Sequence, residues 1–97
     1  MTVRYRELAL SDLEQIYQYL EPRSPKGAKT VLRAIYNAIG QIEQHPYSAI
    51  ETSVSGIRVL IIGRYRYKIF YSLAEDGAVE IIHIRHTARR PWRSVEG

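Results

Sequence analysis

The chain has 97 residues, no cysteine and a formal net charge of +4 at pH 7, with a pI of about 9.6. This length favours a single domain, residues 1–97, and the lack of cysteine excludes a disulfide framework and a thiolate zinc site. The sequence has no signal-peptide run and no stretch of roughly 20 apolar residues, so we expect a soluble, cytoplasmic protein. Its positive charge favours nucleic acid, an acidic protein or acidic lipid as a partner.

Residues 2–8 alternate weakly between apolar and charged side chains. Val3 and Tyr5 would share one face of a short strand, and Arg4 and Arg6 would discourage unwanted pairing at its edge. The segment therefore predicts an edge strand.

A first helix is predicted to begin at Ser11. Residues 11–14 read Ser-Asp-Leu-Glu and match a capping box, in which the Ser11 and Glu14 side chains each accept a backbone N–H of the other residue. Pro22 is expected to end the helix. Its apolar face has the spacing i, i+3, i+4, i+7 and comprises Leu13, Ile16, Tyr17 and Leu20.

A second helix is predicted to begin at Ser24, a capping residue, with Pro25 in its first turn. It would end at His45-Pro46, which gives about 20 residues and a length of ~30 Å. The short connection between the helices predicts an antiparallel helical hairpin packed on a sheet. The apolar stripe of the second helix comprises Val31, Leu32, Ile35, Ala38, Ile39 and Ile42.

Residues 46–55 are interpreted as a loop, and three strands are predicted after it, at 56–63, 66–73 and 78–86. These runs are rich in β-branched and aromatic residues, and Asp76-Gly77 is a strong tight-turn signal. The predicted fold class is α+β, with an N-terminal strand, an antiparallel helical hairpin and a three-stranded antiparallel meander.

The alternation of side chains makes both faces of the meander partly apolar. Tyr67, Ile69, Tyr71 and Leu73 would share one face. By the same count, Val79 and Ile81 would lie opposite Ile82 and Ile84. Two helices can cover only one face, so we hypothesise that an amphipathic segment of a partner chain covers the other.

The meander is also basic. Each of these cations, taken alone, is ordinarily a solvent-facing side chain. The group of cations together indicates a surface for an acidic partner. His83 and His86 are three residues apart in a strand and would lie on opposite faces, so no metal site and no cofactor are predicted. The cations are Arg58, Arg64, Arg66, Lys68 and Arg85.

Five stretches, taken in order, resemble the RelE/ParE toxin superfamily of type II toxin–antitoxin modules, and ParE-like members in particular. They are Asp-Leu-Glu-Gln-Ile at 12–16 and residues 39–46, 56–58, 63–71 and 83–90. The resemblance covers nearly the whole chain, and its specificity lies in the combination rather than in one motif. It implies the β-α-α-β-β-β fold of that superfamily.

The resemblance further implies a toxin that is neutralised by a cognate acidic antitoxin, ParD-like or similar. In these modules the antitoxin usually supplies the DNA-binding domain, so we do not expect this chain to bind DNA directly without it. The antitoxin is expected to use the groove beside the first helix and the sheet, through Leu13, Tyr17, Leu20, Tyr67 and Tyr71.

Two activities remain open, because ParE-like members poison DNA gyrase and RelE-like members cut messenger RNA on the ribosome. The second would require a base, an acid and a charge stabiliser for the scissile phosphate. Each candidate also has an ordinary interpretation, such as a solvated loop carboxylate, a core tyrosine or a structural histidine. The candidate catalytic residues are Glu51, Arg58, Arg66, Tyr71, His83 and His86.

Gyrase binding is the favoured hypothesis. RelE-like enzymes tend to carry a lysine-rich segment before the first meander strand, whereas residues 46–57 contain neither Lys nor Arg. The Arg-Arg-Pro-Trp run at 89–92 resembles ParE. A ribonuclease, or a diverged partner protein without toxin activity, remains the alternative. The expected target-binding residues are Arg58, Arg64, Arg66, His86, Arg89, Arg90 and Trp92, although Arg58 could instead be tied to a helix end and Trp92 could fold back on the sheet.

Overall fold

The structure is a computed structural model and describes residues 2–87. A strand, two helices and an antiparallel meander follow one another, which confirms the predicted α+β fold. No helix within the described range is long and apolar enough to cross a membrane. The elements are β1 (Val3–Tyr5), α1 (Glu7–Leu20), α2 (Pro25–Gln44), β2 (Ile50–Glu51), β3 (Arg58–Ile62), β4 (Tyr67–Leu73) and β5 (Val79–His86).

Helix α1 begins five residues earlier than predicted, so the predicted capping box is wrong. Arg6 is the N-cap residue and makes no side-chain capping bond, while Ser11 lies inside the helix and accepts a hydrogen bond from Gln15 at 3.1 Å. Ala9 is fully buried and extends the apolar stripe toward the N-terminus. Packing against the sheet therefore outweighs the local capping signal. The helix ends at Leu20, two residues before Pro22.

Helix α2 agrees with its prediction at both ends. The Ser24 hydroxyl accepts a hydrogen bond from the Gly27 backbone N–H at 3.0 Å, Pro25 occupies the first turn, and Gln44 is the last helical residue. The buried side chains of its stripe include Ile35, Ala38, Ile39 and Ile42.

The strands form one five-stranded sheet in the order β1-β5-β4-β3-β2. Strand β1 lies at one edge, as predicted, but it has only three residues because the chain enters α1 at Glu7. It pairs parallel to β5, and the other pairs are antiparallel. The predicted loop 46–55 contains a short strand that was not predicted, since β2 pairs with Arg58 and Val59 at the other edge.

The helices cover one face of the sheet and build a single core. Tyr67, Ile69 and Tyr71 point into this core, as the alternation predicted. The prediction that Ile84 lies opposite Val79 and Ile81 is wrong, because all three belong to the same core.

A β-bulge is the reason for this difference. Phe70 lies opposite His83, whereas Tyr71 lies opposite Ile81, so that Ile82 is an extra residue in β5. One extra residue reverses the alternation beyond it. Below, the face of the sheet turned away from the helices is called the outer face.

Candidate functional site

The turn between β3 and β4, residues 63–66, presents two guanidinium groups. The Arg66 N–H donates to the Ile62 carbonyl at 2.8 Å, and the Thr87 N–H donates to the Arg66 carbonyl at 2.6 Å, so the backbone of the turn is held on both sides. Arg64 and Arg66 are both exposed, and within residues 2–87 neither forms an ion pair. This turn is therefore a fixed support for two arginines available to a partner.

The outer face next to the turn is both basic and apolar. Lys68 of β4 lies directly opposite Arg85 of β5, whose guanidinium also lies 3.3 Å from His83 Nε2. On the neighbouring strand β3, Ile61 lies directly opposite Lys68 and is 50% exposed. Ile50 of β2, at the sheet edge, is 66% exposed. Such a combination suits an acidic amphipathic partner.

Arg58 lies at the opposite end of the β3–β4 hairpin and is held by its own chain. Its guanidinium donates to the carbonyls of Tyr47 at 3.1 Å and Ala49 at 2.8 Å and pairs with the Glu51 carboxylate at 3.3 Å. It also lies 5.3 Å from the centre of the Tyr47 ring. Arg58 therefore fixes the segment that follows α2, the structural role that the sequence left open for it.

Tyr71 supports the same segment from inside the core. Its side chain is completely buried, and its hydroxyl donates a hydrogen bond to the Pro46 carbonyl at 2.7 Å. Burial raises the pKa of this hydroxyl, and the neighbouring Arg58 guanidinium acts in the opposite direction. These contacts are those of an ordinary core tyrosine with a structural role.

His83 is buried on the outer face and is linked to helix α1. Its Nδ1 bonds to the Asp12 carboxylate, and the same carboxylate oxygen accepts the Ile84 backbone N–H at 2.8 Å. Arg85 Nη1 lies 3.3 Å from His83 Nε2. Because a guanidinium can only donate, this arrangement assigns the His83 proton to Nδ1. Asp12 thus joins α1 to the edge of β5 beyond the end of β1.

His86 lies at the turn end of β5 and packs against the core. Its ring meets the Tyr67 ring edge to face, with the ring centres 5.0 Å apart. It is half-buried, on the face opposite His83. Within residues 2–87, no three His, Cys, Asp or Glu side chains are grouped so that they could hold a metal ion.

The structure brings together only part of the candidate catalytic set. Glu51, Arg58 and Tyr71 lie side by side across β2, β3 and β4 at the loop end of the sheet. His86 lies opposite Tyr67, four residues from Tyr71 along β4, a separation of about 13 Å. Arg66 lies in the turn beside Tyr67, while His83 lies on the other face.

The structure likewise divides the expected antitoxin-binding residues. Leu13, Tyr67 and Tyr71 belong to the core, so their side chains are not presented to a partner. Tyr17 is 48% exposed, and Leu20 packs only partly against the core. Of the expected target-binding residues, Arg89, Arg90 and Trp92 lie outside the described residues.

Sequence reasoning missed two features. It placed Asp12 in a capping box, although the apolar spacing Ala9, Leu13, Ile16 would have moved the start of the helix and put Asp12 in its interior. It also drew no inference from the polar side of α2. There, the spacing of Lys26, Lys29 and Arg33 was the available signal.

The fold matches that of toxins from toxin–antitoxin modules. A chain of the chromosomal ParDE toxin–antitoxin system from P. aeruginosa has a TM-score of 0.77 at 19% sequence identity, over 89% of this chain and 95% of that chain. The isolated E. coli RelE toxin has a TM-score of 0.69 at 12% identity, over 98% of this chain and 92% of the RelE chain. At such identities the comparison shows a shared fold, that of the RelE/ParE toxins.

The family itself follows from the sequence. A family model described as "ParE toxin of type II toxin-antitoxin system, parDE" matches residues 3–91, and the chain belongs to this family. It is therefore the toxin of a type II toxin–antitoxin system. A relative from Sinorhizobium fredii (strain NBRC 101917 / NGR234), named "Putative toxin Y4kP", is 29% identical over 93 residues, which are 96% of this chain and 94% of that protein.

Proposed function

We propose that this toxin acts in the cytoplasm by binding and inhibiting DNA gyrase, and that a cognate acidic antitoxin neutralises it. The observation that carries the proposal is the turn 63–66, where Arg64 and Arg66 are exposed on a hydrogen-bonded support. Planar guanidinium forks suit carboxylate and phosphate groups, which are the charged groups of a protein–DNA complex.

The distribution of the candidate catalytic residues supports binding rather than chemistry. A metal-free ribonuclease needs its base, acid and charge stabiliser within reach of one phosphate. Here Arg58 is occupied by two backbone carbonyls and Tyr71 by a third, and His86 of β5 lies opposite Tyr67, at the other end of β4. A protein that acts by contact requires no such convergence.

The gyrase proposal is tested with purified toxin in supercoiling and DNA-cleavage assays. We expect the wild-type protein to inhibit supercoiling and to accumulate cleaved DNA. The double variant Arg64→Gln/Arg66→Gln should require roughly thirtyfold more protein for the same effect, because two charged contacts of about 1 kcal/mol each are lost. The variant Arg4→Gln/Arg6→Gln removes the same charge at β1 and should inhibit like the wild type.

A translation assay provides the opposing result. Codon-positioned cuts in ribosome-bound messenger RNA, abolished by Glu51→Gln and by His86→Gln, would replace the gyrase proposal with ribonuclease activity. Intact translation together with trapped gyrase–DNA complexes would support the proposal.

The antitoxin is proposed to cover the outer face. Ile61 offers an exposed apolar anchor beside Lys68, and Ile50 offers a second one at the sheet edge, so the partner should be an amphipathic segment with acidic residues. Replacement of Ile61 by Asp should weaken antitoxin binding at least about tenfold. Leu8→Asp changes an equally exposed aliphatic residue in the first turn of α1 and should leave binding unchanged. Equal losses in both variants would exclude the outer face as the antitoxin site.

A further inference from the structure

The N-terminal half of helix α2 carries three cations on one exposed face. Lys26, Lys29 and Arg33 follow the spacing i, i+3, i+7, and all three are exposed. We call these residues the basic ridge. At 1.5 Å per residue the ridge runs about 10 Å along the helix axis, on the side of α2 opposite its buried stripe.

The fold does not account for this arrangement. Lys26 and Lys29, and then Lys29 and Arg33, are neighbours of like charge on the helix surface, and such pairs are unfavourable. Lys26 also lies in the first turn of the helix, where the macrodipole favours anions, and that turn contains no acidic residue. Within residues 2–87, none of the three forms an ion pair. The ridge is therefore a concentrated charge that an external anion would relieve.

The neighbours of the ridge indicate which anion it suits. Within α2, which the structure describes in full, Tyr36 is the one large apolar side chain with high exposure. The other side chains beside the ridge on the exposed side of α2 are polar: the Thr30 hydroxyl donates to the Lys26 carbonyl of its own helix at 3.0 Å, and the amides of Asn37 and Gln41 can donate to a ligand. A protein interface or a membrane surface would need apolar anchors, whereas amide and cationic side chains together are typical of contacts to phosphates and sugars.

We propose that the basic ridge binds the sugar–phosphate backbone of duplex DNA without reading its sequence. The choice of DNA over other polyanions rests on the proposed function, because gyrase holds duplex DNA. The sequence-based expectation that the chain does not bind DNA directly rested on the antitoxin as the usual source of the DNA-binding domain. Backbone contacts need only the charge and spacing of the ridge.

The test measures binding of the toxin to a fluorescent 20-base-pair DNA duplex by anisotropy over a range of salt concentrations, without gyrase. The wild type should bind at low salt, and Lys29→Gln/Arg33→Gln should weaken binding about tenfold and reduce the slope of log K against log salt by about 2, since two phosphate contacts are lost. Glutamine is a good helix former and removes the like-charge pair, so the variant should melt no lower than the wild type.

Two control variants separate the ridge from overall charge. Arg4→Gln/Arg6→Gln lowers the net charge by the same amount in and just after β1, where both arginines already pair with Asp76 or Glu80, and should change binding no more than about twofold. Lys29→Arg/Arg33→Lys keeps the charge and should bind like the wild type. Equal losses in both charge-reducing variants, or no binding by the wild type, would overturn the proposal.

Three competing polyanions test the choice of DNA. A 20-base-pair RNA duplex, polyglutamate or phosphatidylglycerol vesicles that bind more tightly than DNA, with the same dependence on the ridge, would assign it to another class of partner. If DNA binding depends on the ridge but the toxin does not inhibit gyrase, gyrase is refuted as the target and DNA binding by the ridge stands. If the toxin inhibits gyrase but its DNA binding does not depend on the ridge, only the DNA-binding role of the ridge is refuted.

Discussion

The two ends of the β3–β4 hairpin carry the same residue type in opposite situations. At the loop end, Arg58 donates to two backbone carbonyls and pairs with Glu51. At the turn end, Arg64 and Arg66 have exposed guanidinium groups and no ion pair within residues 2–87. The loop end is therefore closed by the protein itself, whereas the turn end leaves its charge to a partner.

This difference shows that an arginine in the sequence does not by itself indicate a binding residue. Arg58 is on the face of the sheet that the helices cover, and the segment after α2 brings three oxygens to it. No carboxylate in residues 2–87 pairs with Arg64 or Arg66 at the turn. If the two ends have distinct roles, substitutions at the loop end should reduce stability, and substitutions at the turn end should reduce binding to the target.

The largest effect on stability is expected for Arg58→Ala. The change leaves the carbonyls of Tyr47 and Ala49 and the Glu51 carboxylate without their donor, which should lower the free energy of unfolding by about 2–3 kcal/mol. Urea unfolding followed by circular dichroism measures this loss. Arg64→Ala is the matched control and should stay within about 0.5 kcal/mol of the wild type. Equal losses at both ends would remove the distinction.

Much of the fold could be predicted because local signals and packing agree. In α2, the Ser24-Pro25 start, the apolar stripe and the His45-Pro46 stop all specify the same helix, and the structure has it. In α1, the capping box and the stripe disagree by five residues, and the stripe decides because burial of Ala9 and Leu13 involves the whole core.

The candidate site could be predicted less well, because its features depend on residues distant in sequence. A single bulge at Ile82 changes the face of the sheet on which Ile84 lies, and the periodicity of β5 does not reveal this bulge. The bond between Asp12 and His83 joins residues 71 positions apart. The carbonyls that surround Arg58 belong to a loop that lacked any pairing signal. The sequence could name these residues as candidates. Only their neighbours in three dimensions show which of them hold the fold together and which are exposed to a partner.

The turn end also depends on one anchor from helix α1, which Asp12→Asn should weaken. A single Asp12 oxygen accepts both the His83 ring N–H and the Ile84 backbone N–H, and an amide oxygen can do the same, but without the charge each bond should lose about 1 kcal/mol. The free energy of unfolding should fall by about 2 kcal/mol, as measured by urea unfolding. Glu14→Gln makes the same change of charge on the exposed side of α1 and should have an effect below about 0.5 kcal/mol. Identical stabilities of the two variants would show that the anchor is not needed.

A smaller loss is expected at the loop end for Tyr71→Phe. The variant loses the bond to the Pro46 carbonyl and should be about 1 kcal/mol less stable at neutral pH. Burial raises the pKa of the Tyr71 hydroxyl in the folded protein. Below about pH 10 this hydroxyl is protonated in both the folded and the unfolded state, and as the pH rises further it ionises in the unfolded state first. The stability of the wild type should therefore fall as the pH rises beyond 10.

Because phenylalanine does not ionise, the deficit of Tyr71→Phe should shrink in that alkaline range. Unfolding in urea at several pH values between about 7 and 11 measures this, with Tyr17→Phe as the exposed control. Burial also raises the pKa of Tyr5, so part of the alkaline loss should remain in the variant. A deficit that is constant with pH would contradict the role given to Tyr71.

The smallest change in stability, and the sharpest separation of the two ends, is expected for Arg66→Gly. Within residues 2–87, Arg66 is the one non-glycine residue with a positive φ, 62°, a conformation that glycine adopts without steric cost. The variant should be about 0.5 kcal/mol more stable and yet inhibit gyrase less, because the guanidinium is lost. Arg66→Ala keeps the strain and loses the same group, so it should inhibit equally poorly without the gain in stability. A stabilised Arg66→Gly protein that inhibits gyrase like the wild type would show that Arg66 takes no part in the contact with the target.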